Sequence, residues 1–346
     1  MTRKELLMKA INFEEVPRVP VSTLSGATWA VKQENISPEE LLRLPDAGAQ
    51  IILDTCDKLN VDIVYGGRAI PHIILRAMGG KINNSRVGLP GEVIENPFEE
   101  LEEIHNWTVE QVMENLRKDE EYQLLLKQTR IIAEKTGGER FVGVGSFGPF
   151  TTAAQLAGVN EFMMYLGDED EEELVKEVLE FAEEVVYHLT LDFLEAGGDL
   201  VYIAEPVSSG DLISEEYFEK YSLPYLKHLN DRLAKTCPYM LLHICGKTME
   251  RISALKDSGI AIFSVDSLNL EEALRLAERK ITIMGTLSPV RVLEKESAEE
   301  IYNKSRDLVK TAGLTGGFIL APGCDLTPDT PYEHIEAMVR AVSGKE

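Results

Sequence analysis

Eight short, continuously apolar runs punctuate the chain, and this rhythm constrains the fold more than any other feature. The runs are Arg18–Thr23, Val61–Tyr65, Phe141–Gly145, Leu200–Ala204, Tyr239–Ile244, Ala261–Val265, Ile281–Gly285 and Phe318–Ala321. They are continuous and mainly apolar rather than alternating. That pattern fits parallel strands packed on both faces. Longer amphipathic stretches lie between them. Glu120–Lys135 and Glu171–Glu195 carry leucines, valines and aromatics at three- and four-residue spacing, with acids on the other face. Ser214 followed by Glu215 and Glu216 gives an N-cap and an acidic first turn, although Tyr217 stands where a Glu or Gln would complete a capping box. Gly137-Gly138, Gly197-Gly198, Gly259 and Gly313 read as helix stops.

Strands alternating with helices give an α/β fold, either an open doubly wound sheet or a closed (β/α)₈ barrel. Eight is the closing number, and the 346 residues fit one such unit. The expectation is a TIM barrel formed by a single domain over residues 1–346. Two segments stand outside the plain barrel. Arg3–Ile11 predicts an N-terminal helix capping the barrel bottom. Gly79–Glu103 carries turn signals at Asn83-Asn84 and Leu89-Pro90-Gly91, which predicts a β-hairpin inserted after the second unit. Such insertions lie on the C-terminal face, where they often cover a site.

The formal net charge is −24. Phosphate backbones and anionic membrane surfaces want basic stripes, so nucleic acid and membranes are not expected partners. With 44% hydrophobic and 27% charged residues the chain is globular rather than disordered or fibrous. No stretch reaches the length of a membrane span, and the start has no apolar signal region, so a cytoplasmic protein is expected.

In that setting the four cysteines, Cys56, Cys237, Cys245 and Cys324, are not a disulfide framework. Cys56 falls in the helical pattern Ile51–Leu59, and Cys237 precedes Pro238 at the wrong end of a strand; both read as structural. Cys245 lies in Leu241-Leu242-His243-Ile244-Cys245-Gly246-Lys247. Side chains two apart at a strand end point to the same side, so His243 and Cys245 converge. Cys324, in Ala321-Pro322-Gly323-Cys324-Asp325, follows the eighth run, and in a barrel both positions lie on the C-terminal rim. One imidazole and two thiolates suit zinc with a fourth position open, the pattern of a catalytic ion. From spacing alone H-x-C is a weak signal, and the competing reading is a core histidine beside a buried free cysteine.

HICGK followed by LAPGC resembles the methylcobamide:coenzyme M methyltransferases, a branch of the uroporphyrinogen decarboxylase superfamily. PRVPV, Gly148–Met163, Glu195–Leu226, Ser288–Val290 and the PDTPYEHIEAMV tail extend the resemblance over nearly the whole chain. The resemblance implies a TIM barrel in which His243, Cys245 and Cys324 hold Zn²⁺. It also implies transfer of a methyl group from a methylcobamide on a corrinoid partner protein to a small-molecule thiol, with coenzyme M as the default acceptor. Zinc suits that reaction, because it removes the thiol proton and leaves a sulfur that still attacks.

Glu205, ending the fourth run, matches a family position that usually carries an acid. It is expected as a fourth zinc ligand or proton acceptor, or else as a carboxylate capping the next turn. Asp266, ending the sixth run, is the second catalytic candidate, and Asp211 would shape its loop. A sulfonate would need a donor, for which Lys247, Ser208 and Ser209 are candidates, although Lys247 also reads as a solvated residue opening a helix. Gly148–Thr152 would line the mouth through backbone groups, with a helix starting after Thr151. Three rivals remain. Uroporphyrinogen decarboxylase itself would carry an arginine-rich loop after the first strand, whereas Ser22–Gln33 has none. A zinc-binding accessory module without turnover is the second. A corrinoid-dependent first methyltransferase that demethylates an O- or N-methyl donor is the third.

Overall fold

The computed structural model describes residues 1–24, 29–30, 43–69, 71–83 and 92–343. Among these residues there are nine strands: β1 (Ile63–Ala69), β2 (Lys81–Asn83), β3 (Glu92–Glu95), β4 (Phe141–Phe147), β5 (Leu200–Ala204), β6 (Met240–Ile244), β7 (Ile262–Val265), β8 (Thr282–Leu287) and β9 (Phe318–Pro322). Seven form one sheet in the order β1-β4-β5-β6-β7-β8-β9, every pair parallel. Helices connect successive strands, as parallel pairing requires. The fold is a TIM barrel, and seven of the eight apolar runs are its strands.

The remaining run, Arg18–Thr23, first in the chain, fills the eighth strand position between β9 and β1 without becoming a regular strand. Val21 makes a single parallel bridge to Leu320. The Ser22 amide donates to the Leu320 carbonyl at 2.9 Å, the Leu320 amide to Pro20 at 2.9 Å, and the Asp62 amide to Val21 at 2.8 Å. Pro17 and Pro20 remove two backbone donors within four residues, which prevents a full ladder. A side chain supplies what the ladder lacks. Asp62 is fully buried, and its Oδ2 accepts from the Val21 amide at 2.8 Å. Arg18 grips the same carboxylate with two bonds, of 2.7 and 2.6 Å, and Arg3 adds a third at 3.2 Å.

The helix Arg3–Ile11 has the expected bounds and a complete capping box between Thr2 and Glu5. Its Leu7 and Ile11 join the cluster that fills the barrel interior with Ile63, Tyr65, Phe141, Leu200, Tyr202, Leu241, Ile262, Met284 and Ile319. The helix therefore plugs the bottom. A larger cluster lies between the strands and the outer helices. The hairpin is present: β2 and β3 pair antiparallel after β1. Its turn signals at Asn84 and Leu89-Pro90-Gly91 lie outside the described residues, as do residues 25–28 and 31–33 of the Ser22–Gln33 stretch.

The outer helices follow the sequence pattern, with one departure. Glu120–Thr136 starts at Asp119, whose carboxylate accepts from the Tyr122 amide, and stops at left-handed Gly137. Glu172–Glu195 matches its expected range to within one residue. Ser214 does cap, accepting from the Tyr217 amide, but its helix covers only Glu215–Tyr217. A π-helical turn, Phe218–Ser222, then leads into Leu223–Leu233. Pro224 lacks the amide that a continuous α-helix needs there, and the wider turn absorbs the mismatch. No described helix is long and apolar enough to cross a membrane.

Removing Asp62 would leave Arg18 and the Val21 amide without their shared acceptor. Asp62→Ala should therefore lower unfolding stability by about 3–5 kcal/mol, measured by urea titration. A loss below about 1 kcal/mol would show that the seam does not depend on this carboxylate.

Candidate metal centre at the barrel mouth

His243 sits on the last turn of pleat of β6, nearly fully buried. In the β6–β7 register it lies beside Ser264. Its Nδ1 is 3.1 Å from the Ser264 hydroxyl, which leaves Nε2 facing Cys245 Sγ, also at 3.1 Å. With the Nδ1 proton donated to Ser264, Nε2 is the free ligand nitrogen, the usual arrangement around a metal-binding histidine. Cys324, two residues past β9, brings its sulfur to 3.6 Å from Cys245 Sγ. The three ligand atoms lie within 4.8 Å of one another. A tetrahedral zinc with bonds of about 2.0 Å to nitrogen and about 2.3 Å to sulfur separates its ligands by roughly 3.5–3.8 Å. The residues therefore fit such an ion with little movement. Both cysteines are half-buried.

The two thiols, 3.6 Å apart, push each other in opposite directions. A hydrogen bond from Cys245, helped by the nearby His243, holds the Cys324 thiol down at about 4 against its burial. The same hydrogen bond to Cys324, then burial and the Cys324 charge, push the Cys245 thiol well above its ordinary range. A cation between them would relieve that cost by displacing the remaining proton.

Gly246 makes the turn behind Cys245 possible. Its φ is +68°, and a Cβ there would lie 2.2 Å from Asp211 Oδ2. Asp211 shapes the loop as expected: its Oδ2 accepts from the Lys247 amide at 3.0 Å, and its Oδ1 lies 3.3 Å from Lys247 Nζ. Lys247 is thus an exposed residue tied to Asp211 at the rim. Ser209 Oγ accepts from the Asp211 amide at 3.2 Å. Ser208 is fully buried, with its hydroxyl 2.7 Å from that of Ser222. Behind this loop the buried Arg251 donates to the carbonyls of Ile213 at 2.7 Å and Ser208 at 3.3 Å, bracing it against the helix Met249–Leu255.

Glu205 is fully buried and turned toward the neighbouring unit. Its Oε1 accepts from the Phe150 amide at 3.0 Å, and its Oε2 from the Thr151 amide at 2.8 Å and the Thr151 hydroxyl at 2.6 Å. The helix there is Pro149–Leu156, starting three residues before the expected point, and the acid at its N-terminus is Glu205 itself. Gly148 leaves room for the carboxylate, since a Cβ would lie 2.2 Å from Oε1. Glu205 is not among the side chains whose ligand atoms cluster with His243, Cys245 and Cys324. Burial pushes its carboxyl up to about 7, against the donors of Thr151 and Phe150. Asp266 lies nearer the sulfurs. Burial and then the Cys324 charge push its carboxyl up, opposed by Arg291 and His243. Cys56 and Cys237 are both buried away from the cluster, Cys56 with its thiol pushed up to about 12 by burial. Ser264 and Arg251 carry no sequence signal of their own, because their roles follow from strand register and loop packing.

The uroporphyrinogen decarboxylase (URO-D) family pattern matches residues 2–344. The chain belongs to that family. Full-length relatives within reach of it include methylcobamide:CoM methyltransferase MtbA of Methanosarcina acetivorans, 26% identical over 358 residues, or 99% of this chain and 98% of the relative. Methylcobamide:CoM methyltransferase MtaA of Methanosarcina barkeri is 26% identical over 354 residues, covering 98% of this chain and 97% of the relative. A solved methyltransferase from Methanosarcina mazei has the same fold, with a TM-score of 0.86 at 24% identity over 99% of this chain and 98% of that one. The resemblance carried by HICGK and LAPGC thus extends across the whole URO-D barrel.

Two variants probe this geometry. Ser264→Ala should weaken metal affinity by about 10–100-fold without unfolding the protein, measured by competition with a chromophoric chelator. An unchanged affinity would remove Ser264 from the site. Glu205 holds its proton more tightly in the folded state, about 7 against an ordinary 4.5. That contributes stability which is full below about pH 4.5 and lost as pH rises through about 7. Between about pH 5 and about pH 8 the melting temperature of the wild type should fall relative to that of Glu205→Gln. Parallel curves would show that Glu205 is ionised throughout.

Proposed function

We propose that the chain is a methyltransferase that moves a methyl group from a methylated corrinoid, carried by a partner protein, to the sulfur of a small thiol such as coenzyme M. His243 Nε2, Cys245 Sγ and Cys324 Sγ are its zinc ligands. One observation carries this reading: three ligand atoms from the C-terminal ends of two strands that are not neighbours lie within 4.8 Å at the barrel mouth. The names of the full-length relatives support the same reaction.

A zinc ion bound there would hold the acceptor sulfur as a thiolate at neutral pH, in the position that three protein ligands leave open. The chain supplies the rest. Ser264 fixes the imidazole, so that Nε2 has one orientation. Cys245 and Cys324 contribute negative charge, which keeps a neighbouring sulfur electron-rich. Gly246 and Gly323 let the backbone approach closely on either side. In the transfer the acceptor releases its thiol proton to solvent and its sulfur bonds to the methyl carbon. The carbon–cobalt bond breaks with both electrons left on the corrinoid. The donor therefore has to dock over the mouth, and the protein is expected to act in the cytoplasm on soluble partners.

The test uses purified protein prepared under reducing conditions, with metal analysis and methyl transfer from methylcobalamin to coenzyme M followed by the corrinoid absorbance. The wild type should hold close to one zinc per chain. Cys245→Ala and Cys324→Ala should each lose metal and fall at least about 10³-fold in rate, while Cys237→Ala keeps both. Zinc-free wild type that still transfers the methyl group, or a Cys324→Ala variant with full zinc, would overturn the reading.

A further inference from the structure

Beside the sulfurs a cavity of about 510 Å³ opens between the loops that follow β6, β7 and β8. Its lining includes Asp211, Gly246, Lys247, Glu250, Asp266 and Arg291. None of the three proposed ligands lines it, but two lining residues, Gly246 and Asp266, lie next to them. Gly246 directly follows Cys245. Gly323, which precedes Cys324, packs on the Asp266 backbone so closely that a Cβ would lie 2.7 Å from the Asp266 carbonyl oxygen. A thiol whose sulfur reaches the ligand cluster would place its other atoms here, and the volume suits a small molecule.

The charges in this cavity are unevenly satisfied. Lys247 is already paired with Asp211. Arg291 is exposed and has no ion pair among the described residues. Asp266 Oδ1 is buried and lacks a hydrogen-bond partner among the described residues. A buried carboxylate oxygen without a donor is costly, and charged donors satisfy it best. Among the described residues the cavity thus offers one cation without an ion pair, Arg291, and two carboxylates without one, the exposed Glu250 at the rim and the half-buried Asp266, whose Oδ1 has no donor. An acceptor carrying only an anionic group would engage Arg291 and leave Asp266 as it is.

Building on the thiol methyltransfer reading, we propose that this cavity selects a zwitterionic acceptor, a small amino-acid thiol whose carboxylate meets Arg291 and whose ammonium meets Asp266. Both are specificity-determining residues, and neither is a zinc ligand. They impose a pattern that a structural role would not: Arg291 reads any anionic thiol, whereas Asp266 reads only one that also carries an ammonium.

Calorimetric titration of the purified full chain with L-homocysteine, coenzyme M, L-methionine and S-methyl-coenzyme M tests this. The two thioethers report the cavity without depending on metal–thiolate bonding. Homocysteine and methionine should each bind at least about tenfold more tightly than their sulfonate counterparts. Asp266→Asn should erase that preference, weakening the amino-acid ligands about tenfold more than the sulfonates. Arg291→Ala, a change at an exposed side chain, should weaken all four. Equal or tighter binding of the sulfonates, or an Asp266→Asn loss of the same size for every ligand, would overturn the proposal. If Asp266→Asn fails to fold, the wild-type preference and the Arg291→Ala series still decide. Methyl transfer from methylcobalamin to each thiol separates the two levels. Transfer to coenzyme M but not to homocysteine sinks this proposal alone, and transfer to neither sinks the function beneath it.

Discussion

Curvature of the closed sheet is the constraint on which everything else depends. His243 ends β6 and Cys324 follows β9, and two further strands lie between them. In an open sheet three inter-strand steps of about 4.8 Å would hold these positions about 14 Å apart. Here the Cys245 and Cys324 sulfurs are 3.6 Å apart. Only a sheet that bends back on itself, with both loops turning inward, produces that meeting. The seam at Asp62 therefore bears on the site although it lies at the other end of the strands. It ties the proline-rich eighth segment to β1, and Leu320 of β9 ties the same segment on its other side.

Much of this was legible in the chain because apolar runs and strands share one cause. A strand buried on both faces has to be mainly apolar, so seven runs mark seven strands. The remaining run reads the same way in composition, but Pro17 and Pro20 deny it a ladder, and pattern alone does not weigh that loss. The π turn at Phe218–Ser222 is a similar case, since Pro224 acts on the turn before it. At the site, His243 and Cys245 were visible because i, i+2 spacing at a strand end is a local property. Ser264 was not, because its place beside His243 is set by the β6–β7 register, which no spacing within one segment encodes. Glu205 was visible as a strand-end acid, but its direction was not. It depends on Gly148 having no side chain and on where the helix Pro149–Leu156 begins.

The mouth holds its buried polar groups in two contrasting ways. Glu205 is surrounded by three donors from one helix start, and its role is complete within the protein. Arg251 spends its Nε and Nη2 on loop carbonyls and lays its guanidinium on the face of Phe218, 4.5 Å away, while its Nη1 has no partner among the described residues. These groups stiffen the loops after β5 and β6, so that Gly246 and Cys245 are presented in one arrangement. The ligand cluster and Asp266 differ, because their arrangement is unfinished without something else. Two half-buried sulfurs held 3.6 Å apart, and a buried carboxylate oxygen with no donor, are both costly as they stand.

That contrast separates scaffold from site more sharply than burial or charge does. A net charge of −24 describes the surface and says little about a cavity holding a lone arginine. What distinguishes the region between β6 and β9 is that several open demands lie together: a cation for the sulfurs, a donor for Asp266 and an anion for Arg291. Scaffold groups such as Asp62 and Glu205 have their partners within the chain. The three unsatisfied demands lie side by side at the C-terminal ends of consecutive strands, where a barrel can vary its loops without disturbing its core. Folding stability is therefore expected to reside in the closed seam and the helix plug, and chemical selectivity in groups that folding leaves incomplete.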